Sequence, residues 1–340
     1  MRKITAIVIF LMGIWGLYSF NNNQEFKVFK GSAIGTYYSI KIADEINTKQ
    51  INDVILSEID NVNNKMSCFK TTSELSNFNN LVPNEWFKVS DDLFEVLLKA
   101  RDVFESSNGA FDVTVGDLVD LWGFGTKNKG RVDIPSSQEI AAAKKTVGFN
   151  LIDFDSGNKS IRKKANSKIN LSAIAKGDLV DKIALHFDNL KINNYIVEIG
   201  GETKVKGYRN PKNKEKWRIG IEKPDANQEG ILRIVAMHNM SVATSGDYRN
   251  FFDYNGKRYS HTINPKTGFP VTHNIVSASV FNESCMTADA YATAILALGK
   301  DDALKWIADN KIPVILYFAE ENDKFEEYVS DKAKEILNEL

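Results

Sequence analysis

Cysteine is nearly absent from this 340-residue chain: only Cys68 and Cys285 occur, with no CxxC pair and no zinc-finger spacing. That excludes a disulfide-stapled scaffold, a redox dithiol and a cysteine-built zinc site. An exported chain could join the two as one disulfide or keep both as buried thiols. A surplus of either charge is lacking too: 43 Lys and Arg stand against 44 Asp and Glu, a net charge of −1. No general electrostatic pull on nucleic acid follows, so nucleic acid is not an expected partner. There is no Walker A or GxGxxG loop, no GxSxG elbow, no HExxH helix, no internal repeat and no low-complexity tract. The usual phosphate-loop, serine-hydrolase and zinc-protease classes drop out with them. Long apolar runs are missing except for Ile4 to Phe20, preceded by Arg2 and Lys3 and followed by Asn21 to Asn23. This pattern predicts an export signal or membrane anchor over residues 1–23, with the remainder carried across the membrane to the periplasmic side. A hydrophobic content of 43% supports a substantial core, and residues 24–340 read as one domain.

Among what is present, CMTADAYATAILALG from Cys285 to Gly299 stands out as a helix with no solvated face, capped by Thr287 and ended by Gly299. Its two polar residues, Asp289 and Thr293, are four apart and share one face. One reading is local: Asp289 suits the first helical turn and Thr293 bonds back to a carbonyl. The other is an oxygen site for a hard cation such as Mg2+, which takes one or two carboxylates and borrows further ligands from water and phosphate.

The rest of the chain alternates strand and helix patterns. Residues 26–43 read as strand around Ile34-Gly35-Thr36, with Gly35 a bulge or a point of close approach. Thr48 to Met66 and Asp91 to Ser106 are amphipathic helices, and Ser73 caps a short helix after Phe69. Asn108-Gly109 marks a turn, and Asp112 after Ala110 and Phe111 either caps that turn or meets a ligand. Ser136 to Val147 is a helix with Glu139 near its first turn. LIDFD, SIRKK and KINLS read as short strands. The helix from about Ile174 should bury Ile174, Leu179, Val180, Ile183 and Leu185. Its start, with Asn170, Ala173 and Lys176, suits an anionic phosphate, although Lys176 could simply be solvated.

Strands follow at Tyr195 to Ile199, Thr203 to Val205, Trp217 to Glu222 and Ile231 to His238, the first two joined by Gly200-Gly201. Ser241 to Pro270 reads as a long polar loop. Within it His261, flanked by Ser260 and Thr262, is the best placed of the four histidines for acid–base chemistry. Val276 to Val280 is a strand, and a helix, a hairpin and a charged helix close the chain. Strands joined by hairpin turns and interleaved with helices give an α+β class with mixed, largely antiparallel sheets.

In order, SAIGTYYSI, MSCFKTTSELSNFN, GAFDVTVGDLVDLWGFG, LSAIAKGDLVD, IVEIGGE, ATSGDYRNFF, YSHTINPKTGFP and TADAYATAILALG resemble the FAD:protein FMN transferases, the ApbE-like family, from about Val28 to the C-terminal hairpin. The resemblance implies a T-fold-like architecture and an exported, Mg2+-dependent transferase. Its members move the FMN half of FAD to a threonine or serine hydroxyl and release AMP. The acceptors implied are flavin-carrying subunits of sodium-pumping quinone reductases and Rnf-type complexes, with an Asp-Gly-x-Ser/Thr-Gly-Ala-Ser/Thr segment. Carried over by motif, the metal site is Asp289, Thr293 and the carbonyl of Ala173. FAD is expected against Ile34, Phe69, Ala110, Phe111, Asp112, Asn170, Lys176 and Ile263; the base, expected from its polar setting rather than from the resemblance, is His261. Ile34 replaces a frequent methionine, Phe69 a frequent tyrosine, and Ala292 precedes Thr293 where some members carry another carboxylate.

Overall fold

The strands of the computed structural model are β1 (Lys27–Ala33), β2 (Thr36–Ile42), β3 (Trp86–Lys88), β4 (Ile152–Asp155), β5 (Ser160–Lys163), β6 (Tyr195–Ile199), β7 (Glu202–Lys206) and β8 (Trp217–Glu222). They continue as β9 (Ile231–Met237), β10 (Met240–Gly246), β11 (Phe251–Tyr254), β12 (Lys257–Ser260), β13 (Ile275–Asn282), β14 (Val314–Ala319) and β15 (Phe325–Val329). The helices are α1 (Thr48–Met66), α2 (Glu74–Asn80), α3 (Asp91–Ser106), α4 (Gly116–Leu121), α5 (Ser137–Lys144), α6 (Ala175–Asn189), α7 (Cys285–Leu298), α8 (Lys300–Asp309) and α9 (Asp331–Glu339). The structure describes residues 25–339 apart from 129, 132, 225–229, 247–250 and 322–323. The expected export or anchor segment, residues 1–23, lies outside the described residues. Among the described residues no helix is long and apolar enough to cross a membrane.

Eight strands pair in the order β1-β2-β6-β7-β10-β13-β14-β15, every neighbour antiparallel. One face carries Ile40, Val197, Ile199, Ala278 and Val280 into the main core, where they meet α6, α7 and α1. The opposite face is covered at its centre by the β8–β9 hairpin, whose Trp217, Ile221, Val235 and Met237 pack on Val205, Val242, Phe281 and Ile315. Covered on both sides, β14 has lost the alternation of a half-solvated strand: five of its six residues are buried. A three-stranded sheet, β3-β5-β4, and a third cluster around Trp122 complete the packing. The expected α+β architecture with antiparallel sheets is the one observed.

Local signals account for four helix starts. Asn47, Ser73, Ser90 and Ser136 each accept a first-turn backbone N–H, and Ser136 with Glu139 closes a full capping box. α1 buries Ile51, Ile55, Ile59 and Val62, each contributing roughly 1.5–3 kcal/mol of transfer free energy.

Five expectations need correction. Ser284, not Thr287, caps α7: its hydroxyl accepts the Thr287 N–H at 3.2 Å. Gly35 is neither a bulge nor a close approach, because Ile34 (φ 39°) and Gly35 (φ 82°) form a two-residue hairpin turn. KINLS is not a strand; only Lys168 bridges Val115. Leu185 is 60% exposed, since the buried stripe of α6 runs through Leu179, Val180, Ile183, Ala184 and Phe187 and leaves it off the face. The Ser241–Pro270 segment is not a plain loop, because its described residues carry three strands: β10 joins the sheet and β11–β12 form a hairpin on the Trp122 cluster. Phe251, Phe252 and Tyr259 supply the apolar contacts of this hairpin, and the density of turn residues around them obscured it.

Candidate active site

Helices α6 and α7 cross so tightly that a Cβ on Gly177 would lie 2.4 Å from the Cys285 carbonyl oxygen. The approach brings the Gly177 N–H within 3.0 Å of Asp289 Oδ2, one turn into α7. Lys176, beside that glycine, then reaches Asp289 Oδ1 at 3.4 Å and Glu202 Oε1 at 2.8 Å. Asp289 is 1% exposed and Glu202 3%. Thr293, one turn beyond Asp289, shares a 3.2 Å hydrogen bond with Ser245 of β10. Carboxylate and hydroxyl, one turn apart, both line the same cleft. The back-bond to a helical carbonyl expected on the alternative reading is not how Thr293 is engaged.

Electrostatics at this point are unbalanced. Burial alone would lower the Lys176 ammonium, but the Asp289 and Glu202 charges outweigh it and hold it well above the usual lysine range. Burial pushes Glu202 up to about 7 against the pull of Lys176. Glu202 Oε2 is buried with no hydrogen-bond partner on the protein. Two carboxylates thus share one lysine, and an acceptor oxygen is left over. Glu202 was not singled out from the sequence. The available signal was a charge directly after Gly200-Gly201, at the return of an otherwise apolar strand pair.

This cluster lies in a cleft of about 1420 Å³, and all twelve expected site residues line it. Ile34 reaches it from the β1–β2 turn with a left-handed backbone, unusual for a β-branched residue. Phe69 stands at its edge, 59% exposed. Ala110, Phe111 and Asp112, between α3 and α4, are buried. Asp112 Oδ1 accepts from the Thr114 N–H (2.8 Å) and hydroxyl (2.6 Å), so it does cap a local turn while lining the cleft. Burial pushes its carboxyl up to about 6, opposed by those two bonds. Asn170 accepts the Ser172 N–H at 2.9 Å and Ala173 follows just before α6. His261 and Ile263 follow β12; the His261 ring meets Phe124 edge-on, and Ile263 is buried against the Trp122 cluster. Cys68 also lines the cleft, a free thiol that burial pushes up to about 11; Cys285 is free and buried. Arg131, held by Asp133 and Glu139, adds a cation to the wall.

Among the described residues no three His, Cys, Asp or Glu side chains converge as a ligand set. The oxygen-only donors, with one orphaned buried carboxylate oxygen, fit a hard cation that keeps water or ligand oxygens in its shell.

Fold and cleft together define a class: residues 34–316 match the model described as the ApbE family, and the chain belongs to that family. Its relatives are named more narrowly. An FAD:protein FMN transferase of Vibrio cholerae is 37% identical over 311 residues, 91% of this chain and 92% of the relative. Another, from Escherichia coli K12, is 30% identical over 320 residues, 92% of this chain and 90% of the relative. The solved flavin transferase ApbE from Vibrio cholerae superposes with a TM-score of 0.83 at 36% identity, covering 92% of this chain and 99% of that one. The apo flavinyl transferase ApbE of Pseudomonas stutzeri gives 0.84 at 28% identity, covering 92% and 97%.

Proposed function

We propose that this chain transfers the FMN half of FAD to a serine or threonine hydroxyl of an acceptor flavoprotein, releasing AMP. The observation that carries the reading is the charge-unbalanced cluster of Lys176, Glu202 and Asp289, with Thr293 beside it, in a cleft wide enough for a dinucleotide. Asp289, Thr293 and the Ala173 carbonyl would hold Mg2+, with the Glu202 charge close by. When bound, Mg2+ supplies neutralisation of the diphosphate charge as that charge shifts to the leaving group. Ile34, Phe69, Ala110, Phe111, Asp112, Asn170 and Ile263 form the FAD-binding walls, and the Lys176 ammonium faces the diphosphate. His261 takes the acceptor's hydroxyl proton. The oxygen so freed bonds to the FMN phosphorus, and the bridging P–O bond breaks with its electrons leaving on AMP. In this reading the activity lies on the periplasmic side of the inner membrane, anchored or released by cleavage, a location supported by the charge and hydropathy pattern of residues 1–23. Subunits of quinone-reductase or Rnf-type electron-transfer complexes are the acceptors proposed.

The experiment is to incubate the chain with FAD, Mg2+ and a domain bearing the Asp-Gly-x-Ser/Thr-Gly-Ala-Ser/Thr segment, and to read products by mass spectrometry. Covalent FMN on the domain is expected. Free FMN plus AMP would instead mean that water attacks, a reading the missing hydroxyl at Phe69 leaves room for; intact FAD would reduce the protein to a flavin binder. His261→Ala is expected to slow transfer by about 10²–10⁴-fold while FAD still binds. Unchanged turnover in that variant removes His261 from the mechanism.

A further inference from the structure

Strand β10 packs on α7 through small side chains: Ala243 of β10, Ala278 of β13 and Ala294 of α7 are all buried in the main core. Alternation along β10 sends Ser241, Ala243 and Ser245 to the side of the helix, while Val242 joins the hairpin cluster on the other side and Thr244 bonds Ser279 at 2.8 Å. The two serines on the helix side are used differently. Ser241 donates to the Glu283 carbonyl at 3.3 Å and does not line the cleft, so it ties strand to backbone. Ser245, opposite Ala278, shares its 3.2 Å hydrogen bond with the hydroxyl of Thr293, and both residues line the cleft.

A threonine inside a helix ordinarily returns its hydroxyl proton to the carbonyl one turn back. Among the described residues Thr293 makes no such bond, and the partner of its hydroxyl is Ser245. A hydroxyl carries one proton and two lone pairs, and a cation takes a lone pair. For Thr293 to serve as a ligand its proton must point elsewhere, and Ser245 Oγ is the acceptor within reach.

We propose that Ser245 is the positioning residue of the metal site: its oxygen takes the Thr293 proton and so turns a Thr293 lone pair toward the cation. The proposal rests on the Mg2+ reading above, in which Thr293 is a ligand. Ser245 keeps its own proton in this arrangement and donates it into the cleft, to water or to a phosphate oxygen. Partners that orient a ligand in this way commonly set metal affinity about 10- to 100-fold. The helix-facing alanines hold β10 and α7 close, and each hydroxyl stands one carbon from its backbone, so the pair has little freedom to drift apart.

The test uses the full chain with one equivalent of FAD and reads Mn2+, a hard cation suited to oxygen donors, by the loss of the free ion's electron paramagnetic resonance signal. In Ser245→Ala the Mn2+ dissociation constant is expected to rise about tenfold. Ser245→Thr keeps the oxygen and is expected within about twofold of wild type. A loss equal to that of the alanine variant would assign the position to packing and overturn the proposal. In a Thr293→Val background, Ser245→Ala is expected to change the affinity by less than about twofold, because the group it orients is gone. A second tenfold loss there means that Ser245 acts elsewhere, and overturns the proposal as well. Asp289→Asn separates this assignment from the metal reading beneath it. Weakened Mn2+ binding in Asp289→Asn beside wild-type affinity in Ser245→Ala removes Ser245 alone. Unchanged binding in Asp289→Asn, or none in the wild type, sinks the metal reading and Ser245 with it.

Discussion

Helix α6 carries two lysine–carboxylate clusters six residues apart, and they are balanced differently. At its start Lys176 serves both Glu202 and Asp289, and Glu202 Oε2 has no donor. Further along, Lys182 donates to Asp92 at 2.7 Å, Lys65 binds the other oxygen of the same carboxylate, and Asn61 adds a 3.2 Å bond. The second cluster ties α1, α3 and α6 together and satisfies Asp92 from within. The first lines the cleft and is short of positive charge. Neither burial nor an orphaned oxygen alone separates scaffold from site, since Asp178 near Lys182 is also buried with an unpartnered Oδ2; the difference is that Glu202 lines the cleft and Asp178 does not.

The contrast is most exposed to failure at Glu202. Glu202→Gln hands the whole Lys176 charge to Asp289, so the Mg2+ concentration for half-maximal transfer is expected to rise about 10- to 100-fold. A Mg2+ titration indistinguishable from wild type would move Glu202 into the scaffold class. The mirror substitution, Asp92→Asn, leaves two lysines facing a neutral amide. It is expected to cost about 2–3 kcal/mol in urea unfolding and to leave flavin loading at the wild-type rate. Burial would raise the Asp92 carboxyl, but Lys182 and Lys65 overcome it and hold it well below 3.8. The stability it contributes is therefore present above pH 3.8 and lost as pH falls through its native value.

Asp178 has the opposite sign and the smallest effect. Burial pushes its carboxyl from 3.8 up to about 7 against Lys182. The native state keeps a proton that the unfolded chain gives up, so stability falls as pH rises between those values. Three pKa units set a ceiling of about 4 kcal/mol, and relaxation around the buried carboxylate reduces it, so Asp178→Asn should match wild type at pH 4 and exceed it by about 1 kcal/mol at pH 8. A variant less stable at pH 8 would show that Lys182 needs this charge.

What the sequence made legible follows the range of the forces involved. α1 and α3 match their expected limits because caps such as Ser90 and helical periodicity act within a few residues. The Asp289–Thr293 pair was readable for the same reason, as one turn of one helix. Ala110, Asn170 and Ile263 sharing a cleft came from family resemblance, since no spacing rule joins residues so far apart. Glu202 was missed because its partner Lys176 lies on another element, and only the tertiary fold turns the carboxylate toward it. The β11–β12 hairpin was hidden because its strands are four residues each, too short for alternation to outweigh the turn residues around them.

Where α6 meets α7, the spacer is the single hydrogen of Gly177, facing a main-chain carbonyl. The gap between ammonium and carboxylate is consequently ruled by two polypeptide backbones in contact. Exchanging neighbouring core side chains for others of similar bulk leaves that gap fixed, whereas one added methyl at the crossing pries the helices apart.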